Sequence, residues 1–511
     1  EVEEIARRRE LAKKMGGPES VARHHESGKL TARERIDRIL DRDSFNEIGA
    51  LTGAAEYDDR GRLIAFTPAN VVIGTGRIGG RRVVVSAEDF TVRGGSSEAT
   101  NPDKWIWAET LAQEMRLPLV RLVDTAGGSV KLLEKMGATK LPGYKDWKYA
   151  DILGIIPVAS AALGSVAGLG AVRVIGSHFS VMVKGTSQVF AAGPPVVTPA
   201  TGESLSKEEL GGYRIHARGS GVVDNEAESE EEAFRQIRQF LAYLPSSVYH
   251  LPARLPSDDD PNRREEELLS IVPRSRKRPY DARKLLSLVF DQDSLFEIGR
   301  YQGQSVVSAL GRLNGHPVGT MINDTRFFGG GMDAAAAEKV IRFVDMCDTF
   351  HLPIVNFVDQ PGVMVGLAAE KAGTIRIAVR ALHAIAQSKV PWVAMILRRA
   401  FGVAGSYYGR HHDLNLRYAW PSGIWGSLPV EGGVDAAYKR EIEASEDPEA
   451  RRRELETYYD QLQSPFRTAE RFGVQDIIDP RDTRPILCDW VEQAYEVLPE
   501  QLGPRYRMMR V

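Results

Sequence analysis

Leu117-Pro118-Leu119-Val120-Arg121-Leu122-Val123-Asp124 is an apolar run closed by an acid, and it returns as Leu352-Pro353-Ile354-Val355-Asn356-Phe357-Val358-Asp359. At the same spacing, Gly76-Arg77-Ile78-Gly79-Gly80-Arg81 returns as Gly311-Arg312-Leu313-Asn314-Gly315-His316. A further echo comes at a slightly longer spacing: Ala32-Arg33, Asp41, Asp43-Ser44 and Glu47-Ile48-Gly49 recur as Ala282-Arg283, Asp291, Asp293-Ser294 and Glu297-Ile298-Gly299. Constant spacing across separated segments means that one fold is used twice. A site in such a chain is expected between equivalent surfaces rather than inside one domain.

Outward from these runs the pattern alternates. Val71 to Ile78 and Arg82 to Val85 are β-rich and flank Gly79-Gly80, which reads as a hairpin. A helix over about 101–115, a buried strand over Leu119–Val123, a Gly-rich loop, a helix near 146–156, a strand over Pro157–Leu163 and a second Gly-rich segment follow. The second half repeats the order: helix 333–350, strand Ile354–Val358, loop Asp359–Gly366, helix 372–388, strand Trp392–Leu397, then Gly402 onward. Apolar strands separated by helices imply an α/β fold of mainly parallel sheets covered by helices. Residues 1 to about 48 read as amphipathic helix, with Leu30, Ile36, Ile39 and Leu40 as its stripe. The polar, proline-containing run Ser257 to Glu265 reads as a linker and divides the chain into domains 1–260 and 261–511. The charge-rich stretch near 440–460 reads as a solvated helix.

Composition narrows the class. Apolar content of 43% and charged content of 26% suit a globular protein, and 511 residues suit two large domains. Lys plus Arg number 66 against 69 Asp plus Glu, which supplies no overall basic field for nucleic acid. Only Cys347 and Cys488 occur, too few for a disulfide framework or a four-cysteine zinc site, and this points to a reducing compartment. No apolar run approaches the ~20 residues that cross a bilayer, and the charged N-terminal stretch does not read as a signal peptide. The expectation is a cytoplasmic enzyme (mitochondrial matrix in a eukaryote) without nucleic-acid or membrane partners.

Each half places glycines just after a strand, twice. The first has Asp124-Thr125-Ala126-Gly127-Gly128 and then Gly164 to Ala171; the second has Asp359-Gln360-Pro361-Gly362 and then Phe401 to Ser406. Glycine lets backbone approach a ligand, and amides at a following helix start point at developing negative charge. A carbonyl becoming an enolate needs such donors, each worth ~3 to 4 kcal/mol. The sequence holds no Gly-x-Ser-x-Gly elbow, phosphate-loop Gly-Lys-Ser/Thr or His-Glu-x-x-His helix. His24-His25 and His411-His412 lack ligand spacing and read as surface histidines, so no metal is expected. Asp124 and Asp359 end apolar strands and read as loop-shaping acceptors before they read as bases.

Longer motifs run nearly end to end. They include Gly28-Lys29-Leu30-Thr31-Ala32-Arg33-Glu34-Arg35-Ile36, Gly193-Pro194-Pro195-Val196-Val197, Thr201-Gly202-Glu203, Glu209-Leu210-Gly211-Gly212, and His216 with Ser220-Gly221-Val222. The second half adds Phe357-Val358-Asp359-Gln360-Pro361-Gly362 with Gly366, Glu370, Gly373 and Arg376, then Tyr418-Ala419-Trp420-Pro421, Ser464-Pro465-Phe466-Arg467 and the run Asp476 to Pro485. Together they resemble the carboxyltransferase (β) subunit of biotin-dependent acyl-CoA carboxylases of the propionyl-CoA and methylcrotonyl-CoA carboxylase type.

That resemblance implies two tandem crotonase-like (ClpP/crotonase) domains related by internal duplication. CoA would bind mainly the first half, and biotin, carried by another polypeptide, would enter along the second half of a neighbouring subunit of a β hexamer. By the same analogy, amides around Leu169, Gly170 and Ala171 would hold the thioester oxygen of the acyl-CoA, and those around Val403, Ala404 and Gly405 the biotin ureido oxygen. Gly127, Gly128 and Gly168, with Pro361, Gly362 and Gly402, would be the cofactor-binding backbone. In the family mechanism carboxybiotin releases CO2, the biotin anion takes the α-proton and the enolate captures CO2, so no side-chain base is demanded. A bulky residue at Gly170 or Ala404 is expected to obstruct approach to the amides. The chain has no Ala-Met-Lys-Met biotinylation segment or ATP-binding Gly-rich lysine motif, which implies biotin carboxylase and biotin carrier partners.

Three loops depart from the family pattern. Asp124-Thr125-Ala126-Gly127-Gly128-Ser129-Val130 stands where the family has Asp-Ser-Gly-Gly-Ala-Arg. Gly405-Ser406-Tyr407-Tyr408 replaces a Tyr-Asp pair, and Gly426-Ser427-Leu428-Pro429 replaces Met-Gly. The acyl group therefore stays open between short saturated and α,β-unsaturated. A biotin-dependent decarboxylase or transcarboxylase subunit, and a catalytically silent scaffold, stand as alternatives.

Overall fold

The computed structural model describes residues 1–511 apart from 140, 142, 145–146, 410–414, 508 and 510–511. It divides into two units, one of Glu1–His250 with Gly503–Met509, the other of Leu251–Leu502. In the first unit the strands are β1 (Asn46–Ile48), β2 (Gly53–Tyr57), β3 (Leu63–Pro68), β4 (Val71–Ile78), β5 (Arg81–Glu88), β6 (Leu119–Thr125), β7 (Val158–Ala167), β8 (Phe179–Val183), β9 (Gln188–Phe190) and β10 (Asn225–Ala227). In the second they are β11 (Phe296–Ile298), β12 (Val306–Leu313), β13 (His316–Asn323), β14 (Ile354–Gln360), β15 (Trp392–Phe401), β16 (Leu416–Ala419), β17 (Ile424–Gly426) and β18 (Asp476–Ile477).

The sheets carry one topology twice. Their orders are β1-β4-β5-β6-β7-β8-β10 and β11-β12-β13-β14-β15-β16-β18, with β9 paired to β7 and β17 paired to β15. Each begins with two antiparallel pairings and continues parallel. Every residue of β6 and of β14 is buried, as expected for strands covered on both faces. The β4–β5 hairpin turns at Gly79-Gly80, φ +56° and +78°, and β12–β13 turns at Asn314-Gly315, φ +48° and +80°. Two consecutive positive φ values make a type I′ turn, whose twist matches that of the strands it joins.

Three helix expectations are corrected. Residues 1–48 form three helices, Val2–Lys13, Pro18–Glu26 and Ala32–Ile39, before β1. Gly17 and Pro18 break the first from the second, and a Thr31/Glu34 capping box starts the third. The helix near 146–156 shrinks to Tyr149–Ile152. The stretch near 440–460 is a helical pair, Val430–Ala444 and Pro448–Leu462, with Asp447 capping the Ala450 N–H at 3.0 Å. The pair encloses Val430, Val434, Ile442 and Leu455, because neither helix alone can cover that apolar side.

The run read as a linker is built into the second unit. Arg263 forks onto Asp259 at 2.8 and 3.0 Å. Wholly buried Arg484 donates to Asp260 O at 2.9 Å and to the Asp291 carboxylate at 2.9 Å.

Candidate functional site

Both sheets end in the same pair of turns. In the first unit β7 runs into Gly168, whose N–H donates to Phe190 O of β9 at 3.1 Å, and the Leu169–Ile175 helix follows. In the second, β15 runs into Gly402, whose N–H donates to Gly426 O of β17 at 3.0 Å, and the Ala404–Tyr408 turn follows. Gly168 stands at φ +59° and Gly402 at φ +62°, a region that costs an L side chain strain, so glycine is required where strand turns into helix. The neighbouring turns match as well. The Gly127 N–H donates to Thr125 Oγ1 and the Gly362 N–H to Gln360 Oε1, each at 3.1 Å.

First-turn amides have no partner inside their own helix. At Leu169, Gly170 and Ala171 this leaves three donors at the end of the parallel strands. The second turn differs: the Gly405 N–H donates to Gly402 O at 3.1 Å, so Val403 and Ala404 supply that turn's uncommitted amides among the described residues. Side chains here point inward. A Cβ on Gly170 would lie 2.3 Å from Thr125 Cγ2 and 3.1 Å from Val166 Cγ1, and Ala404 is buried against a small cavity beside Asn356 and Tyr407. Bulk at either position would therefore displace the turn from its strand, which replaces the expected obstruction on the ligand side.

Asp124 and Asp359 shape these ends through ion pairs. Asp124 is fully buried, with Arg35 and Lys29 each at 3.2 Å, and Arg35 continues to Glu230 at 2.8 Å. Asp359 is fully buried between Arg398 at 3.0 Å and Arg399 at 2.6 Å. The pairing registers place Gly164 opposite Arg398 in the repeat. A Cβ on Gly164 would meet Asp124 Oδ1 at 2.1 Å, so the first unit brings its cation from the Ala32–Ile39 helix and the second from the strand itself.

Arg121, an oddity in an apolar run, is the residue that sequence reasoning passed over. It pairs with buried Glu109 at 2.8 Å and donates to Arg173 O and Gly176 O at 2.9 and 2.7 Å. Arg173, inside the Leu169–Ile175 helix, pairs with Glu88 and lies over the Trp105 ring. The helix bearing the donor amides is thus fastened at its far end. At the repeat-equivalent position, Asn356 Nδ2 donates to Tyr407 O at 2.8 Å. A charge in the middle of a buried strand was the available signal.

The first unit also holds a cavity of about 950 Å³. Its lining includes Lys14, Arg23, His24, Lys29, Arg93 and Lys207, and no Asp or Glu among the described residues. Such a wall suits a polyanionic ligand. His24 departs from the surface reading, whereas His25 is exposed and bonds Glu34. The buried His24 ring bonds Leu30 O through Nε2 at 3.1 Å. Burial, with Lys29 adding, pushes its pKa down from 6.5 to about 4. Between those values the unfolded chain takes up a proton that the folded chain refuses, so stability falls as pH drops through that window and is unaffected above it. Urea midpoints are expected to fall from pH 7 to pH 4.5, less steeply in His24→Gln; parallel slopes would refute the assignment. His411-His412 lie outside the described residues. Among the described residues no cluster of three or more His, Cys, Asp or Glu could hold a metal, and no helix is long and apolar enough to cross a membrane.

The carboxyl transferase domain model matches residues 23–498. The chain belongs to the carboxyl transferase family. It is 36% identical to the carboxyltransferase subunit of propionyl-CoA carboxylase from Haloferax mediterranei, over 94% of each chain. It is 32% identical to the methylmalonyl-CoA decarboxylase α subunit of Veillonella parvula, over 93% of this chain and 92% of that one. The transcarboxylase 12S structure, a hexamer with methylmalonyl-CoA and methylmalonic acid bound, superposes with TM-score 0.86 at 29% identity, covering 100% of this chain and 97% of that one. The crotonase-like duplicated α/β fold expected from the sequence is therefore the fold of this family.

Proposed function

We propose that the chain is the carboxyltransferase subunit of a biotin-dependent acyl-CoA carboxylase, moving CO2 from carboxybiotin to the α (or vinylogous γ) carbon of an acyl-CoA. The observation that carries this reading is the repeated turn: glycine at positive φ, amides uncommitted, one set in each unit. The first unit is the acyl-CoA side. Its basic cavity takes the phosphates of CoA, and the amides of Leu169, Gly170 and Ala171 receive the thioester oxygen as it gains charge, stabilising the enolate by about 3 kcal/mol per donor. The second unit is the biotin side, with Val403 and Ala404 donating to the ureido oxygen beside the backbone of Pro361, Gly362 and Gly402. Biotin, when bound, supplies the transferable carboxyl group. The chain's own residues hold the oxygens, and Asp124 and Asp359, engaged in ion pairs, are given no acid or base role.

The working protein in this reading is a homo-hexamer in the cytoplasm, served by biotin carboxylase and a biotin carrier, with the first unit of one protomer acting with the second unit of a neighbour. The test is carboxylated product from bicarbonate, ATP, the biotinylated partners and a series of acyl-CoAs. Absence of product with every acyl-CoA, together with absence of CoA binding, would sink it and favour a silent scaffold. The likeness to a decarboxylase subunit supports a second reading, the same amides serving the reverse direction; release of CO2 from a malonyl-type thioester without any carboxylation would establish that one. Arg93→Ala and Lys207→Ala are each expected to weaken CoA binding about five- to tenfold in calorimetry, with a shallower salt dependence. Unchanged affinity in both would remove the cavity from the assignment.

A further inference from the structure

Pro273-Arg274-Ser275-Arg276-Lys277-Arg278-Pro279 puts four cations in five residues, in a chain whose overall charge is −3. Arg274, Lys277 and Arg278 are exposed, and Arg276 reaches Asp460 at 2.8 Å. A charge run is ordinarily a solvated face, but this one is fastened. One guanidinium nitrogen, Arg398 Nη1, donates to the carbonyls of Pro273, Ser275 and Arg278 at 3.3, 2.9 and 3.1 Å. Arg398 is 2% exposed and is itself held by Asp359. The loop therefore keeps a fixed shape on β15, about 13 Å of strand before Gly402.

Holding four cations against a further arginine, Arg398, concentrates positive charge; Asp460 pairs with Arg276 and Asp359 with Arg398. The repeat gives the place meaning. At the spacing that relates Ala32 to Ala282, the loop stands where Arg23 to Lys29 stand in the first unit, and Arg23, His24 and Lys29 line the basic cavity there. In the second unit the cations face outward, spread along a loop. That geometry suits a broad acidic protein face better than a single phosphate, which needs converging donors.

We infer that the Arg274–Arg278 loop is an electrostatic docking surface for an acidic face of the biotin carrier, steering it to the Gly402 turn. This rests on the reading of the second unit as the biotin side. Steering of this kind acts mainly on association and fades with salt, since screening lengths are about 8 Å at physiological ionic strength.

The test uses the full chain and the biotin carrier subunit encoded in the same genome, prepared without biotin so that the biotin pocket contributes nothing. Calorimetry at 50 and 300 mM NaCl is expected to show carrier affinity about tenfold weaker at the higher salt. In R274E/K277E/R278E the low-salt affinity should fall at least tenfold and the salt dependence vanish, with R274Q/K277Q/R278Q between. Acyl-CoA affinity and carboxyl transfer to free biotin from a malonyl-type thioester should stay at wild-type values in both variants. Wild-type carrier binding in the folded variants would overturn the inference alone. Weakened acyl-CoA binding in them would overturn it in favour of a CoA-phosphate contact. Failure of the wild type to transfer carboxyl to free biotin would remove the underlying reading, and the inference with it.

Discussion

Gly170→Val is expected to lower kcat for carboxyl transfer by about a hundredfold or more while leaving the protein folded. The side chain has no room: its Cβ falls 2.3 Å from Thr125 Cγ2, and β6 behind it is buried along its whole length. The Leu169–Ile175 helix must lift from the strand, carrying its first-turn amides with it. Oxyanion donors act over about 3 Å, and loss of one costs ~10²- to 10³-fold in rate. Overpacking adds about 1–3 kcal/mol of instability, small enough to keep the fold. Gly170→Ala should fall between, because its single methyl still meets Thr125. Steady-state kinetics separates the effects: kcat falls while KM for acyl-CoA moves little, since the cavity lies apart from the helix seat. Wild-type kcat in the valine variant would withdraw these amides from the mechanism.

Asp359→Leu is expected to destabilise the second unit by about 3–5 kcal/mol, the cost of leaving one partner of a buried ion pair uncompensated. Arg398 would lose its only carboxylate among the described residues while 2% exposed, and Arg399 its 2.6 Å partner. The damage spreads, because Arg398 also anchors the basic loop through three carbonyls and Arg399 donates to Gly329 O at 2.7 Å. Urea unfolding measures the loss, and D359L/R398L should recover part of it by removing the orphaned charge. A single variant as stable as wild type would show that the pair contributes nothing net.

How far the sequence carried this picture depended on what each residue answers to. β6 and β14 were legible because burial on both faces leaves an unbroken apolar run, and the hairpins because Gly-Gly and Asn-Gly admit few other turns. The break at Gly17-Pro18 and the cap at Asp447-Pro448 were equally readable signals, outweighed by reading long charged stretches as single helices. His24 was not legible, since Phe90 and Asp124, which lie against it, are distant in the chain. The repeated glycine turns could be named from sequence. That Gly405 spends its amide on Gly402, and that side chains at Gly170 and Ala404 face the interior, depends on backbone directions that composition does not encode.

The different sources of cation for Asp124 and Asp359 also bear on modularity. A chain assembled by stitching together two copies of either half would keep its acid supplied, because each half brings its own arginine. Exchanging only the central strands between halves would not: β7 with Gly164 placed beneath the second unit's helices leaves Asp359 without Arg398, and β15 placed in the first unit drives a guanidinium into the space Arg35 already fills. Gene-conversion-like shuffling of short segments is therefore barred by charge and volume, although the sheet topologies coincide strand for strand.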